Sequence, residues 1–438
     1  MRWAITLVVL VTLVRFINLL KVPVFGDEGL YCYLGYQINH LSPPDSINLI
    51  VNFWKDAPLL PLLNAVALKL FPLAPPLWTC RAAVTAISGM GAIILFSLGG
   101  WWAFFFYLLN PFSFFLDRTI LMEPVLNATI LAFMAATLAA MKRSTKLSLT
   151  LAAFSTGLVL TAKQTGILVL PIPLVWALLE RHKFPHLKRV SAIIAITAAG
   201  LIGLALTTTQ LWDTAAMHTT TVLSLPRLKT NLWLIGSWLI QYWTWWVTPV
   251  IILGWRWKWI LTVAYFILTF VLFGWTLFPR YLLIVVPFVA LLAGHASRNA
   301  LGKALLIILL VIFVKRDLTI LFQPDKAHLA KETRYQFFED WGSGLGTKAA
   351  LEWLKNQKFA PQTVLLIPQD IQGLWVMSQL SFTPDLNLDT YFYTNDQLIN
   401  QSGLLVATSH QSIPTGTVRL MTTNADNRNS VTIYQLSR

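Results

Sequence analysis

Apolar residues run along this chain in long, nearly unbroken stretches. They lie near residues 3–20, 80–98, 101–116, 123–141, 147–162, 165–180, 190–206, 231–254, 258–278, 280–296 and 301–318. Most of these stretches are long enough for a helix to cross a hydrocarbon core about 30 Å thick, and they predict about 11 transmembrane helices. The stretch around 58–72 is shorter and carries prolines, so it reads as a helix lying at the membrane interface. After residue 318 the period changes. Thr347 to Lys358 reads as a capped amphipathic helix, and TVLLIP, GLLVAT, VRLMTT and VTIYQL read as short strands between Asn-, Gly- and Pro-containing turns. The expected fold is therefore an α-helical polytopic membrane protein over residues 1–318, with a first outer loop over 21–79, followed by a small α/β domain over 319–438.

Composition agrees with this reading. Of 438 residues, 56% are hydrophobic and only 12% charged, a balance that a water-soluble surface cannot sustain. The net charge of +14 would suggest nucleic-acid binding on a soluble protein, but residues 1–318 hold 24 Lys and Arg against 9 Asp and Glu, whereas 319–438 hold 9 against 10. The basic excess thus belongs to the loops between spans, where it marks the cytoplasmic side and argues against a nucleic-acid partner.

With an uncleaved first helix and the N-terminus inside, the clusters Lys142-Arg143-Lys146, Arg181-Lys183-Lys188-Arg189, Arg256-Lys258 and Arg298-Lys303 all fall in the cytoplasm. An odd number of spans then puts the C-terminal domain outside. Eight acidic residues land on the outer face: Asp27, Glu28, Asp45, Asp56, Asp117, Glu123, Asp213 and Asp317. Cys32 and Cys80 have no ligand partners at metal spacing. Two buried, idle thiols is the simplest reading, although both fall on the outer side, where a disulfide can form.

Chemistry concentrates on that outer face. Asp27 and Glu28 follow the first helix beside Arg15 and Lys21, a half-apolar setting suited to a general base. In DRTILMEP (117–124), Arg118 and Glu123 share a rim and could pair or flank an anion. Lys163 and Arg280 are lone cations flanked by apolar runs, placed where topology does not favour positive charge, which suggests an anionic ligand. His218 sits in a loop with Asp213 as a further candidate. The glycines of GSGLG (342–346) read as a turn, not a phosphate loop.

In this order the pieces resemble the GT-C superfamily of polyprenyl-phosphate-sugar-dependent glycosyltransferases, in particular the protein O-mannosyltransferase and lipid A aminoarabinose transferase branch. The resemblance rests on Arg15 followed by Asp27-Glu28, KDAPLLPLL (55–63) with Lys55, Arg81, the Arg118 to Glu123 motif, Lys163, and Arg280-Tyr281-Leu282-Leu283 with Pro287. It implies an inverting transfer on the outer face of the plasma membrane from a polyprenyl-phosphate sugar to a lipid, glycan or protein hydroxyl. Asp27 would be the general base, with Glu28 and Glu123 as further catalytic carboxylates beside it. Lys163, Arg280 and Tyr281 would hold the donor phosphate, and Arg15, Lys55, Arg118 and His218 would support them. Glu123 stands where many relatives carry Asp, and KDAP replaces a double proline. Asp27, Glu28 and Glu123 could together hold a divalent metal, yet the resemblance implies a metal-independent reaction with no cofactor beyond the donor. The competing reading is a transporter or flippase for an anionic or lipid-linked substrate, which would place charges near the midplane and show internal repeats. A third is a non-catalytic scaffold, which leaves the charged rim without a role.

Overall fold

A computed structural model describes residues 10–52, 58–208, 224–274, 277–339, 345–357, 364–368, 389–393, 403–408, 417–422 and 431–436. Lys55, Asp213 and His218 lie outside the described residues, as do most of the glycines of GSGLG.

The first helix, α1, is described over 10–14 and unwinds through a 3-10 turn, Leu19–Lys21, into the first helix of the outer segment. That helix, α2 (Gly26–His40), holds the Asp27-Glu28 pair in its first turn, where carboxylates face the positive end of the helix dipole. The first outer loop expected over 21–79 thus opens with a regular helix. Then come α3 (Pro43–Asn52) and α4 (Leu59–Leu70), the latter at the position of the expected interfacial helix. Gly35 lets α2 and α4 approach closely: a Cβ there would lie 2.6 Å from the Asn64 Cβ and 2.9 Å from the Ala65 nitrogen.

Two of the expected spans join in α5 (Pro76–Leu109), which bends at Gly100, whose φ of 73° is open to glycine without strain. Asn110 ends α5 and caps the short α6 (Pro111–Leu116), its side chain accepting from the Phe112 N–H. A buried loop leads to α7 (Met122–Arg143), whose 22 residues span about 33 Å at 1.5 Å per residue. Glu123 therefore sits at one end of the bundle and Lys142-Arg143 at the other.

Next follow α8 (Lys146–Ala162), a 3-10 turn over Gln164–Val169, α9 (Pro171–Leu179) and α10 (Leu187–Thr208). The expected span over 231–254 is two elements, α11 (Leu225–Trp243) and α12 (Val247–Leu253), separated at Thr244 with φ 59°. Moreover, α11 does not cross the bundle. Asn231 donates to the Val271 and Gly274 carbonyls at the end of α13 (Trp257–Phe273), and Arg316 donates to the Gln241 and Tyr242 carbonyls at the far end of α11. Lys258, in the first turn of α13, bonds Glu180 at the opposite end of the bundle, so both ends of α11 lie at the end that carries Glu123. The 3-10 turn Pro279–Val285, α14 (Val286–Ala296) and α15 (Ala300–Phe322) complete the helical part.

Among the described residues, four segments are long and apolar enough on their own to cross a membrane: Pro76–Leu109, Met122–Arg143, Leu187–Leu204 and Pro279–Ala296. With Phe154, Ile196, Trp233 and Val311 exposed on helix surfaces, they mark an integral membrane protein.

Residues 324–339 fold back onto the helices. Ala327, Leu329, Ala330, Phe337 and Phe338 join the same core as α5, α7 and α14. The change of architecture comes after them, with α16 (Leu345–Asn356) and the strands β1 (Val364–Pro368), β2 (Asp389–Tyr393), β3 (Gly403–Thr408), β4 (Thr417–Thr422) and β5 (Val431–Leu436). The sheet order is β2-β1-β3-β5-β4, with β1 parallel to β2 and β3, and β5 antiparallel to β3 and β4. The four strands expected from sequence are present. DTYFY, which becomes β2, has no long apolar run, although Pro384-Asp385 and Asn395-Asp396 flank it as turn signals.

Close packing of α2 on α4 makes Gly35 intolerant of a side chain. Gly35→Ala should lower stability in detergent by about 1–3 kcal/mol, the usual range for overpacking. Gly236→Ala, where nothing lies within 4 Å of the added Cβ, should be neutral or stabilise by about 0.4–1 kcal/mol. Thermal unfolding of the two purified variants side by side checks both.

Candidate active site

Two layers of charge meet at the Glu123 end of the bundle. The deeper layer is fully buried and internally paired. Arg81 on α5 donates from Nε and Nη2 to the two carboxylate oxygens of Glu28 at 3.0 and 2.9 Å, and its remaining N–H groups reach the Leu19, Val22 and Pro23 carbonyls. Glu28 also accepts from the Phe25 N–H at 3.2 Å and the Ile120 N–H at 2.8 Å. One carboxylate therefore ties the start of α2 to the loop that leads into Glu123. One turn of α2 further on, Cys32 is joined to Cys80, the neighbour of Arg81, by a disulfide. The idle-thiol reading is thus replaced by a covalent staple beside the ion pair.

A second buried pair lies alongside. Arg15 Nη1 donates to Asp117 Oδ2 at 2.7 Å and Arg15 Nη2 to the Leu108 carbonyl at 2.8 Å. Burial pushes the Asp117 carboxyl up while the Arg15 guanidinium pulls it down. Arg118 spends its guanidinium on the Arg15 and Ile17 carbonyls and lies over the Phe114 ring. It does not pair with Glu123, because the loop turns it back toward the end of α1.

The upper layer lines a cavity of ≈ 160 Å³ formed by Asp27, Tyr31, Leu121, Met122, Glu123, Lys163, Gln164, Arg280 and Tyr281. Four elements far apart in sequence deliver these groups. Asp27 comes from the first turn of α2 and Glu123 from the first turn of α7. Lys163 sits where α8 ends in extended backbone, and Arg280 follows Pro279 at the start of a 3-10 turn. Arg280 Nη1 donates to Asp27 Oδ2 at 3.0 Å, and Lys163 Nζ donates to Glu123 Oε1 at 2.5 Å. Arg280 Nε lies 3.6 Å from Glu123 Oε1 and is buried without a hydrogen bond. Tyr281 places its ring 4.3 Å from the Lys163 ammonium and 5.8 Å from the Arg280 guanidinium carbon.

Two carboxylates and two cations thus balance around a small polar cavity. Of the carboxylates, Asp27 is the more accessible, at 24% against 7% for Glu123. Glu28 does not line the cavity. A second cavity of ≈ 330 Å³ shares Glu123, Lys163, Gln164 and Tyr281 and continues between Leu126, Leu168, Phe270, Phe273, Leu277 and Ile284. A polar anion-sized space therefore lies beside an apolar one. Asp27, Glu28 and Glu123 do not form a joint ligand set for a hard cation, since each is engaged by Arg or Lys, and among the described residues no three His, Cys, Asp or Glu side chains cluster at metal spacing.

Sequence reasoning overlooked Tyr31 and Gln164. Both were within reach of a helical-spacing argument: Tyr31 is four residues beyond Asp27 on α2, and Gln164 adjoins Lys163 as the second polar residue in an apolar run.

No sequence-family profile matches the chain. No curated protein matches it either. Solved structures do. ArnT from Cupriavidus metallidurans in the apo state superposes with a TM-score of 0.60 at 15% sequence identity, covering 99% of this chain and 98% of that one. ArnT from the same organism bound to undecaprenyl phosphate gives 0.56 at 14% identity, covering 98% and 97%. At such identity the likeness establishes a shared fold over nearly the whole length of both chains.

The buried Glu28–Arg81 pair should behave as a structural element. Arg81→Met removes one partner and leaves Glu28 without its counter-charge, which costs about 3–5 kcal/mol. Lys163→Met, on the partly accessible layer, should cost far less. Melting temperature and monodisperse yield of the two variants measure the difference.

Proposed function

We propose that this protein is an inverting membrane glycosyltransferase. It would move a sugar from a polyprenyl-phosphate donor to a hydroxyl acceptor on the outer face of the plasma membrane. The carrying observation is the cavity in which Asp27 shares the Arg280 guanidinium, with Lys163 beside it and an apolar cavity behind. A phosphate joined to a long hydrocarbon fits such a pair of spaces. A similar structure binding undecaprenyl phosphate lends weight to that choice of ligand.

In this reading the donor phosphate takes the place of carboxylates on Arg280 and Lys163, with Arg280 Nε offering a donor not yet used. Release of Asp27 from Arg280 leaves its carboxylate to accept the proton of the acceptor hydroxyl. The hydroxyl oxygen attacks the anomeric carbon from the face opposite the phosphate. As that bond forms, the bond from carbon to phosphate oxygen breaks, and its electron pair stays on the phosphate. Lys163 and Arg280 stabilise the charge that develops there, while the Tyr281 ring holds Lys163 in place. Glu123 keeps the two cations together before the donor arrives. Glu28 is assigned to positioning, since its lone pairs are already committed to Arg81 and two backbone N–H groups.

The same reading places the Asp27 end of the bundle, and residues 319–438, outside the cytoplasm. A disulfide between Cys32 and Cys80 agrees with an oxidising compartment. With both cysteines bonded, added cysteines report sidedness directly. Ser42→Cys should react with a membrane-impermeant maleimide on intact cells, and Lys146→Cys only after permeabilisation. The reverse pattern would put the site on the wrong face for this reaction.

The decisive experiment is release of polyprenyl phosphate from a polyprenyl-phosphate sugar by detergent-purified protein. Asp27→Asn should fold normally and lower turnover by about 10²- to 10⁴-fold. Arg280→Lys keeps the charge but loses the bidentate fork, and should weaken donor use by about 1–3 kcal/mol, shared between kcat and KM. An Arg280→Lys enzyme with both constants unchanged would assign Arg280 to membrane anchoring instead.

A further inference from the structure

Beyond α15 the chain does not leave the bundle at once. Residues 323–339 form a strap across the site end. Glu332 accepts from the Trp238 indole at 2.7 Å, Thr333 accepts from the Tyr242 hydroxyl at 2.7 Å, and Arg334 reaches the Asp325 carbonyl. The strap ends in a single π turn, Tyr335–Glu339. Such turns are rare and occur often at functional sites, because the widened backbone re-aims a side chain. Here it turns Phe337 inward to 1% exposure. The Phe337 ring lies 5.0 Å from Phe115 at 80° and 5.3 Å from Phe25 at 42°.

Phe25 links this strap to the charge site. Its ring lies 5.3 Å from the guanidinium carbon of Arg280. The other two rings on Arg280, Phe278 and Tyr281, sit on the same chain segment and move with it. Phe25 belongs instead to the start of α2, which carries Asp27, and its N–H is held by Glu28. Of these three rings it alone lies on the segment that carries Asp27, and Phe337 is packed against it.

We infer that Phe337 is a positioning residue for the anion site. By holding the Phe25 ring, it orients Arg280 so that Nη1 meets Asp27 and Nε lies beside Glu123. This inference rests on the glycosyl-transfer reading above. It predicts that donor use, and not acceptor use, depends on an aromatic ring at 337. A residue that merely filled space would respond to volume alone.

The test is steady-state kinetics with a short-chain polyprenyl-phosphate sugar on Phe337→Leu, Phe337→Ala and Phe337→Tyr, with thermal stability measured in parallel. Phe337→Leu keeps most of the volume without the ring, so it decides the matter even if Phe337→Ala fails to fold. Phe337→Leu should raise donor KM about 3- to 10-fold, the effect of a weakened ring and cation–π contact, with acceptor KM unchanged. Phe337→Tyr should restore donor KM to within about twofold, since it keeps the ring. A Leu variant with wild-type donor KM, or one that loses kcat only in proportion to folded protein, overturns the inference. Absence of transfer by the wild-type protein overturns the proposed function instead. The positioning role is then decided by direct binding of polyprenyl phosphate, where an equal Kd for wild type and Phe337→Leu overturns it.

Discussion

The ion pair between Glu28 and Arg81 is the constraint to which the site is attached. Both side chains are fully buried, and two charges in so apolar a setting are tolerable only when every lone pair and N–H finds a partner. Meeting that demand recruits the Leu19, Val22 and Pro23 carbonyls and the Phe25 and Ile120 N–H groups. The same few bonds therefore fix the exit from α1, the first turn of α2 and the loop before α7. Asp27 is the next residue to one end of this knot, and Glu123 lies three residues beyond the other. The Cys32–Cys80 staple repeats the tie between α2 and α5 one turn away, so the two restraints act on the same pair of helices.

Above this rigid layer sits a softer one. Asp27, Glu123, Lys163 and Arg280 are paired but partly accessible, and their charges sum to zero. A neutral quartet of this kind is compensated without a ligand; in the proposed reaction the donor phosphate would displace a carboxylate from these cations, an exchange that adds negative charge to the site and frees the carboxylate. Stacking on Phe25, Phe278 and Tyr281 keeps the guanidinium oriented through such an exchange. In the proposed reaction the buried layer supplies geometry and the accessible layer supplies chemistry, and the contrast in exposure between Glu28 and Asp27, adjacent in sequence, marks the boundary.

The helical frame serves the same end. Four irregular segments lie where the bundle meets the site: 3-10 turns at Leu19–Lys21, Gln164–Val169 and Pro279–Val285, and the π turn at Tyr335–Glu339; a further 3-10 turn, Arg181–Lys183, lies at the opposite end. Inside a membrane protein such backbone is tolerated where protein or a cavity satisfies its polar groups. Each of the four segments at the site touches the cavity or its supports, and α11 lies across the same end, tied to α13, α15 and the strap.

The sequence alone determined the class of protein, the two-sided distribution of charge and the set of candidate residues, because hydrophobic period and charge bias report burial and sidedness locally. It also marked Asp27, Lys163 and Arg280 as anomalies, since an ion in an apolar run is costly wherever the chain goes. What it left open was partnership. Glu28 and Arg81 are 53 residues apart, and Asp27 and Arg280 are 253 apart. No periodicity states that Glu28 turns inward while Asp27 faces a cavity, that Arg118 serves the α1 carbonyls and not Glu123, or that 231–254 breaks at Thr244 and lies across the bundle. Those outcomes depend on which helix packs against which, and only the tertiary fold decides that, because burying one charge is bearable only where the fold brings the opposite one.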